Sequence, residues 1–85
     1  MEKLIASIPK NSREHVRIEL NMFRGRQLFS IRVWVDRSDG DEPIATRKGL
    51  TAAIGLLPAI NIALAAAERE ARLSGLLPDV DTGVS

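Results

Sequence analysis

Two short basic signatures and one indole concentrate the chemistry of this 85-residue chain. Phe23-Arg24-Gly25-Arg26 and Thr46-Arg47-Lys48-Gly49 bracket a strand-like run that ends near Trp34, the only tryptophan. Cations grouped around aromatics on a sheet can hold a nucleic-acid backbone and stack its bases, because every base has a π-face. Such stacking is worth roughly 1–3 kcal/mol per base. Arg24, Arg47 and Lys48 fall at expected turns or strand ends, where they can reach phosphates without burial. Contacts of that kind supply salt-dependent affinity rather than sequence choice. Each residue also has a plainer role open to it. The cations could form an ordinary solvated surface, Trp34 could cover a sheet edge or a subunit interface, and Phe23 could plug the core at a turn. Gly25 and Gly49 are expected to serve backbone geometry, through positive φ or close approach.

The remaining polar residues point away from enzymology. His15 is the single histidine and there is no cysteine, so neither a metal site nor a nucleophile–base pair can be assembled from the usual ligands. No phosphate-cradling glycine loop, nucleophile elbow or pair of carboxylates is present. The acidic run Asp36-Arg37-Ser38-Asp39-Gly40-Asp41-Glu42 lacks the ligand spacing of a calcium loop and reads as a solvated hairpin tip. The expectation is a protein that is not an enzyme and needs no cofactor or metal.

Charge is divided along the chain. Residues 1–50 carry ten Lys/Arg against seven Asp/Glu, and residues 51–85 carry two against four. A basic first part backed by a neutral-to-acidic element suits a surface facing phosphate. At this length there is one domain and one modest core, with about 60–65% of the unfolded surface buried. Burial missing from so short a chain is often recovered by oligomerising. The N-terminus has no signal-peptide core. Leu50–Ala67 is shorter than a normal membrane span, is interrupted by Gly55 and Pro58, and reads as a buried helix. The expected location is intracellular, cytoplasmic or nucleoid-associated.

The elements that must position these side chains follow from periodicity. Leu4–Ile8 can form a short strand ended by Pro9. His15–Leu20 alternates strictly, with Val16, Ile18 and Leu20 on one face and His15, Arg17 and Glu19 on the other. Asn21–Gly25 is expected to turn. Arg26–Val35 resumes the period of two, with Phe29, Ile31, Val33 and Val35 on a core face. Arg26, Leu28, Ser30, Arg32 and Trp34 share the opposite face. A polar loop then leads to a last strand near Ala45–Thr51 that carries Arg47 and Lys48. From about Ala53 the period changes, and Leu57, Ile60, Leu64, Ala67 and Ala71 follow helical spacing. Pro58 is tolerable in the first turn and Gly75 is placed to cap the end. The helix is apolar around much of its circumference, so a second copy is the economical cover.

In order and spacing these segments resemble the single-stranded-DNA-binding domain of the transcriptional coactivator positive cofactor four (p15) family, in its bacterial and phage form. The resemblance runs from about Val16 to Leu64 and rests on Val16-Arg17-Ile18-Glu19-Leu20, Phe23-Arg24-Gly25-Arg26, and Ile31-Arg32 before an aromatic. It resumes with Thr46-Arg47-Lys48-Gly49-Leu50 and Leu56-Leu57-Pro58. It implies an α+β fold: a four-stranded curved antiparallel sheet followed by one C-terminal helix (β-β-β-β-α), dimerising through the helix. Leu57, Ile60, Leu64 and Ala67 are the expected interface, residues 1–75 the binding domain, and 76–85 a flexible tail.

The implied function is sequence-nonspecific single-stranded DNA binding by a homodimer, in transcription regulation or other DNA transactions, with the transcription machinery as a possible partner and no membrane. Phe23, Arg24, Arg26, Arg32, Arg47 and Lys48 fall where the family places DNA-contacting residues, and strand parity adds Trp34. Val35 stands where relatives often carry a second aromatic, the acidic hairpin is about one residue longer, and the helix is richer in alanine. A protein-interaction module of the same fold, or an RNA or duplex-DNA binder, are the alternatives.

Overall fold

A computed structural model describes residues 2–78. The described residues form two compact units that divide after Gly55. The first is an open antiparallel sheet in the order β1-β2-β3-β4. Its strands are β1 (Lys3–Pro9), β2 (Glu14–Phe23), β3 (Arg26–Val35) and β4 (Ile44–Ala53). The second holds a short 3-10 turn, Ile54–Leu56, and the helix α1, Leu57–Leu73.

β3 keeps the bounds that alternation marks, whereas β2 is longer than the alternating run His15–Leu20. The expected turn over Asn21–Gly25 contracts to two residues, since Asn21, Met22 and Phe23 continue β2 and Phe23 pairs with Arg26. Arg24 at φ 55° and Gly25 at φ 78° make the connection. Positive φ at both central residues is the requirement of the tight hairpin turn whose twist matches that of the strands. The pairing runs without a break from Phe23↔Arg26 to Glu14↔Val35. The Asp36 N–H donates to the Arg13 carbonyl at 2.8 Å, one step beyond the last paired residues.

That register sorts the side chains. Val16↔Val33, Ile18↔Ile31 and Leu20↔Phe29 lie on one face. Ala52 flanks Phe29 from β4, and Phe29 is fully buried. Around it the apolar face is half-buried, so the core is small, as the composition implied.

The outer connections are built from local hydrogen bonds. Between β1 and β2, Asn11 Oδ1 accepts the N–H groups of Arg13 and Glu14 at 2.9 and 2.8 Å. Asn11 and Lys10 side chains donate to the Glu14 carboxylate, which lowers its pKa below the ordinary glutamate value. Between β3 and β4, Arg37 pairs with Asp39 at 3.3 Å and Asp41 at 3.6 Å, while Gly40 turns at φ 85°.

β4 is irregular where it passes β3. Arg32 pairs with Gly49 and Trp34 with Ala45, so β4 spends more residues than β3 over the same span. The Thr46 hydroxyl bridges the irregularity, donating to the Val33 carbonyl at 2.8 Å and accepting the Lys48 N–H at 3.1 Å. A bulge of this kind locally breaks the ladder and bends the strand. Gly49, at φ 139°, lets the two backbones touch: a Cβ there would lie 2.2 Å from the Ile31 carbonyl oxygen.

Within the second unit, Pro58 occupies the first turn of α1, where its missing N–H has no intrahelical partner to lose. The helix ends as the sequence suggests. Gly75, at φ 79°, donates to the Arg72 carbonyl at 3.1 Å, and Leu76 donates to Ala71 at 2.8 Å. This double bond pattern around a left-handed glycine satisfies the last carbonyls. Arg72 pairs with Glu68 and donates to the Pro78 carbonyl. The expected tail begins at Leu76, and its positions 79–85 lie outside the described residues. Among the described residues no helix is long and apolar enough to cross a membrane.

Gly49 and Gly40 separate close approach from simple positive φ. Gly40→Ala, with open space around it, should cost about 1 kcal/mol of left-handed strain. Gly49→Ala should cost more than about 2 kcal/mol, because backbone atoms must move as well. Urea unfolding of the two variants checks this, and equal losses would contradict the close-approach account.

Candidate nucleic-acid interface

The hairpin register gathers four of the seven candidate binding residues on one face. Phe23, Arg26, Arg32 and Trp34 all lie on the side opposite Val16, Ile18 and Phe29. His15, Arg17, Glu19 and Asn21 come from β2 to the same side, and Leu28 and Ser30 from β3. At about 3.4 Å per residue, the eight steps from Arg26 to Trp34 span roughly 27 Å. One aromatic therefore stands at each end of the face, with Arg32 close to the Trp34 end.

At the turn end Phe23 is 58% exposed, and Arg24 and Arg26 are exposed beside it. The Arg24 guanidinium lies 5.1 Å from the centre of the Phe23 ring. Phe23 is thus outside the core, so the core-plug role open to it in the sequence does not hold. Arg24 reaches this place at φ 55°, a conformation that glycine or asparagine adopts more readily.

At the other end Arg32 is fixed. Its Nη1 donates to the Thr46 carbonyl at 3.1 Å and its Nη2 to the Thr51 hydroxyl at 3.0 Å. Two of five guanidinium N–H donors are used this way. Arg47 and Lys48 follow Thr46 in the irregular part of β4, and both are exposed. The bulge therefore ties the second basic signature to the residue that anchors Arg32. Trp34 is half-buried, and His15, directly across the strand pair, has Nδ1 3.6 Å from Asp36 Oδ1.

Among the residues of this face outside the candidates drawn from the sequence, one is a cation in contact with Trp34. Arg17 places its guanidinium 4.2 Å from the centre of the Trp34 ring, and it pairs directly with Arg32 across the strands. The signal that could have found it was the turn. Two residues at Arg24-Gly25 put 17 opposite 32, whereas a five-residue turn over Asn21–Gly25 leaves the register open. The four expected interface residues of α1 are described within their own unit. Leu57 and Ile60 are half-buried, Leu64 is 57% exposed and Ala67 is exposed.

The chain thus combines an open antiparallel sheet, one face of which is basic and aromatic, with one helix that follows it in sequence. Neither the family models nor the curated proteins match this chain. Solved structures do. A PC4 homologue from Burkholderia pseudomallei, BPSL1147, is similar at 34% identity with a TM-score of 0.73, covering 80% of this chain and 90% of that one. Its tetragonal crystal form gives 31% identity and a TM-score of 0.71, covering 80% and 98%. The bacteriophage T5 homologue of the eukaryotic transcription coactivator PC4, implicated in recombination-dependent DNA replication, shares the fold at 23% identity. Its TM-score is 0.60, with 88% of this chain and 83% of that chain covered. This chain belongs to the family of PC4 homologues.

The strained turn makes a prediction of its own. Arg24→Asn keeps the hairpin geometry while relieving the left-handed cost of a long side chain, and should stabilise the protein by up to about 1 kcal/mol. A rise in thermal midpoint is expected; a fall would mean that the Arg24–Phe23 contact outweighs the strain.

Proposed function

We propose that this protein is a homodimeric, sequence-nonspecific single-stranded-DNA-binding protein of transcription or other DNA transactions. The observation that carries the reading is the register. A single face presents Phe23 and Arg26 at one end and Arg32 and Trp34 at the other. Arg24, Arg26, Arg32, Arg47 and Lys48 hold phosphates, while Phe23 and Trp34 stack bases. Exposed aromatics favour unpaired bases, because a duplex keeps its π-faces inside the stack. The similarity to PC4 homologues, one of them tied by name to DNA replication, supports the same ligand class.

The dimer forms through α1, with Leu57, Ile60, Leu64 and Ala67 at its centre. Support comes from the helix itself, in which no residue is fully buried and Leu64 and Ile62 are 57% and 72% exposed. An apolar stripe left open in this way marks an interaction surface.

Titrating Trp34 fluorescence with single-stranded and duplex oligonucleotides at two salt concentrations tests the ligand. Quenching by the single strand, weakened steeply by salt, is expected. Equal affinity for duplex would sink the single-strand assignment, a preference for RNA would change the polymer, and no response would favour a protein partner. Light scattering tests the assembly. The purified chain should have the mass of a dimer at micromolar concentration, and Leu64→Glu should dissociate or unfold it. A monomeric wild-type chain would refute the interface.

A further inference from the structure

Arg17 and Arg32 face each other directly across β2 and β3, an arrangement of like charges that destabilises a sheet unless something neutralises it. The two guanidiniums are held in different ways. Arg32 is engaged by the Thr46 carbonyl and the Thr51 hydroxyl. Among the described residues the one carboxylate within 4 Å of Arg17 is that of Glu19, with Nη1 3.9 Å from Oε2, beyond hydrogen-bond reach. Its Nε–H is buried with no hydrogen-bond partner among the described residues. What holds the side chain is the indole, on whose face the guanidinium rests at 4.2 Å.

A guanidinium over an indole is planar and occupies the place that a stacked base would take. Leaving that place costs Arg17 a cation–π contact and returns its Nε–H to a position where it can bond. A phosphate accepts two parallel N–H bonds from an arginine, and a planar guanidinium suits that geometry. Arg32, one strand away, adds positive potential at the same rung. Ser7 of β1, the partner of Arg17 on its other side, contributes no charge.

We infer that Arg17 is a phosphate ligand of the nucleic-acid face, parked on Trp34 in the free protein and exchanged onto a backbone phosphate when a base takes its place on the ring. The inference rests on the single-strand reading above. It makes Arg17 a binding residue and the Arg17–Trp34 stack a placeholder, so that stacking and phosphate capture occur together.

The test uses a labelled oligothymidylate, anisotropy titrations across about 50 to 200 mM salt, and the variants Arg17→Gln, Arg17→Met and Arg17→Lys. The slope of log affinity against log salt should become shallower by about 0.7 per Arg17 engaged in the neutral variants, and Arg17→Lys should restore it. A folded neutral variant with the wild-type slope would leave Arg17 as mere packing on the indole and overturn the inference, while the single-strand reading stands. No binding by the wild type overturns both. The Arg17 Nε–H resonance of the wild type gives a readout that needs no substitution. It should leave its ring-shifted position as oligothymidylate is added, and a resonance that stays in place during saturable binding counts against the exchange.

Discussion

The pairing of β2 with β3 through a two-residue turn is the constraint on which the other features of the sheet depend. Side chains alternate with a period of two, so a slip of one residue would exchange the faces of an entire strand. With Phe23 opposite Arg26, the apolar pairs Val16–Val33, Ile18–Ile31 and Leu20–Phe29 fall together, and so do the polar pairs His15–Trp34, Arg17–Arg32 and Glu19–Ser30. Core and candidate interface are two sides of one register. The turn achieves this with an arginine where a smaller residue is easier, since Arg24 sits at φ 55°. The left-handed strain thus falls on a residue that is also exposed and basic.

The outer strand obeys a second constraint, which concerns backbone rather than side chains. β4 can follow β3 past Ile31 and Arg32 only because Gly49 has no Cβ. The residues gained by its irregular path bring the Thr46 carbonyl to Arg32 and leave Arg47 and Lys48 exposed. The core meanwhile stays lean. Among the described residues Phe29 is the one fully buried large side chain. Half-buried neighbours must supply the rest, and the exposed apolar side chains of α1 are further surface that a second copy can remove from water.

Much of this was legible from alternation and capping. The strict pattern of His15–Leu20, the run Arg26–Val35, the helical spacing beyond Leu57 and the role of Gly75 all survive in the structure. What could not be read was how the strands meet. Asn21-Met22-Phe23 carries no strong strand signal, and Arg-Gly is a weaker marker of a tight hairpin than Asn-Gly or Asp-Gly. The expected turn over Asn21–Gly25 is therefore wider than the real one and does not bring Arg17 opposite Arg32. The bulge at Thr46–Gly49 was hidden for a different reason. Gly49 marks the close approach, as its type suggests, but the number of residues gained depends on the path of β3 beside it.

The contrast between Arg17 and Arg32 bears on why this face carries more positive charge than it neutralises. A sheet selected only for stability would place a carboxylate or a neutral residue opposite Arg32, since directly paired like charges cost free energy. Glu19 lies two rungs away and is too distant to bond Arg17. Arg32 is fixed by two hydrogen bonds and cannot travel far without losing them. Arg17, stacked but otherwise unbonded, has little to lose by moving. On the proposed reading, one fixed and one uncommitted guanidinium on a single rung would give a polyanion both a predictable landing point and a donor able to adjust to it. Under the same proposal, a repulsion that weakens the free protein would become, in the bound state, attraction from two cations to one phosphate.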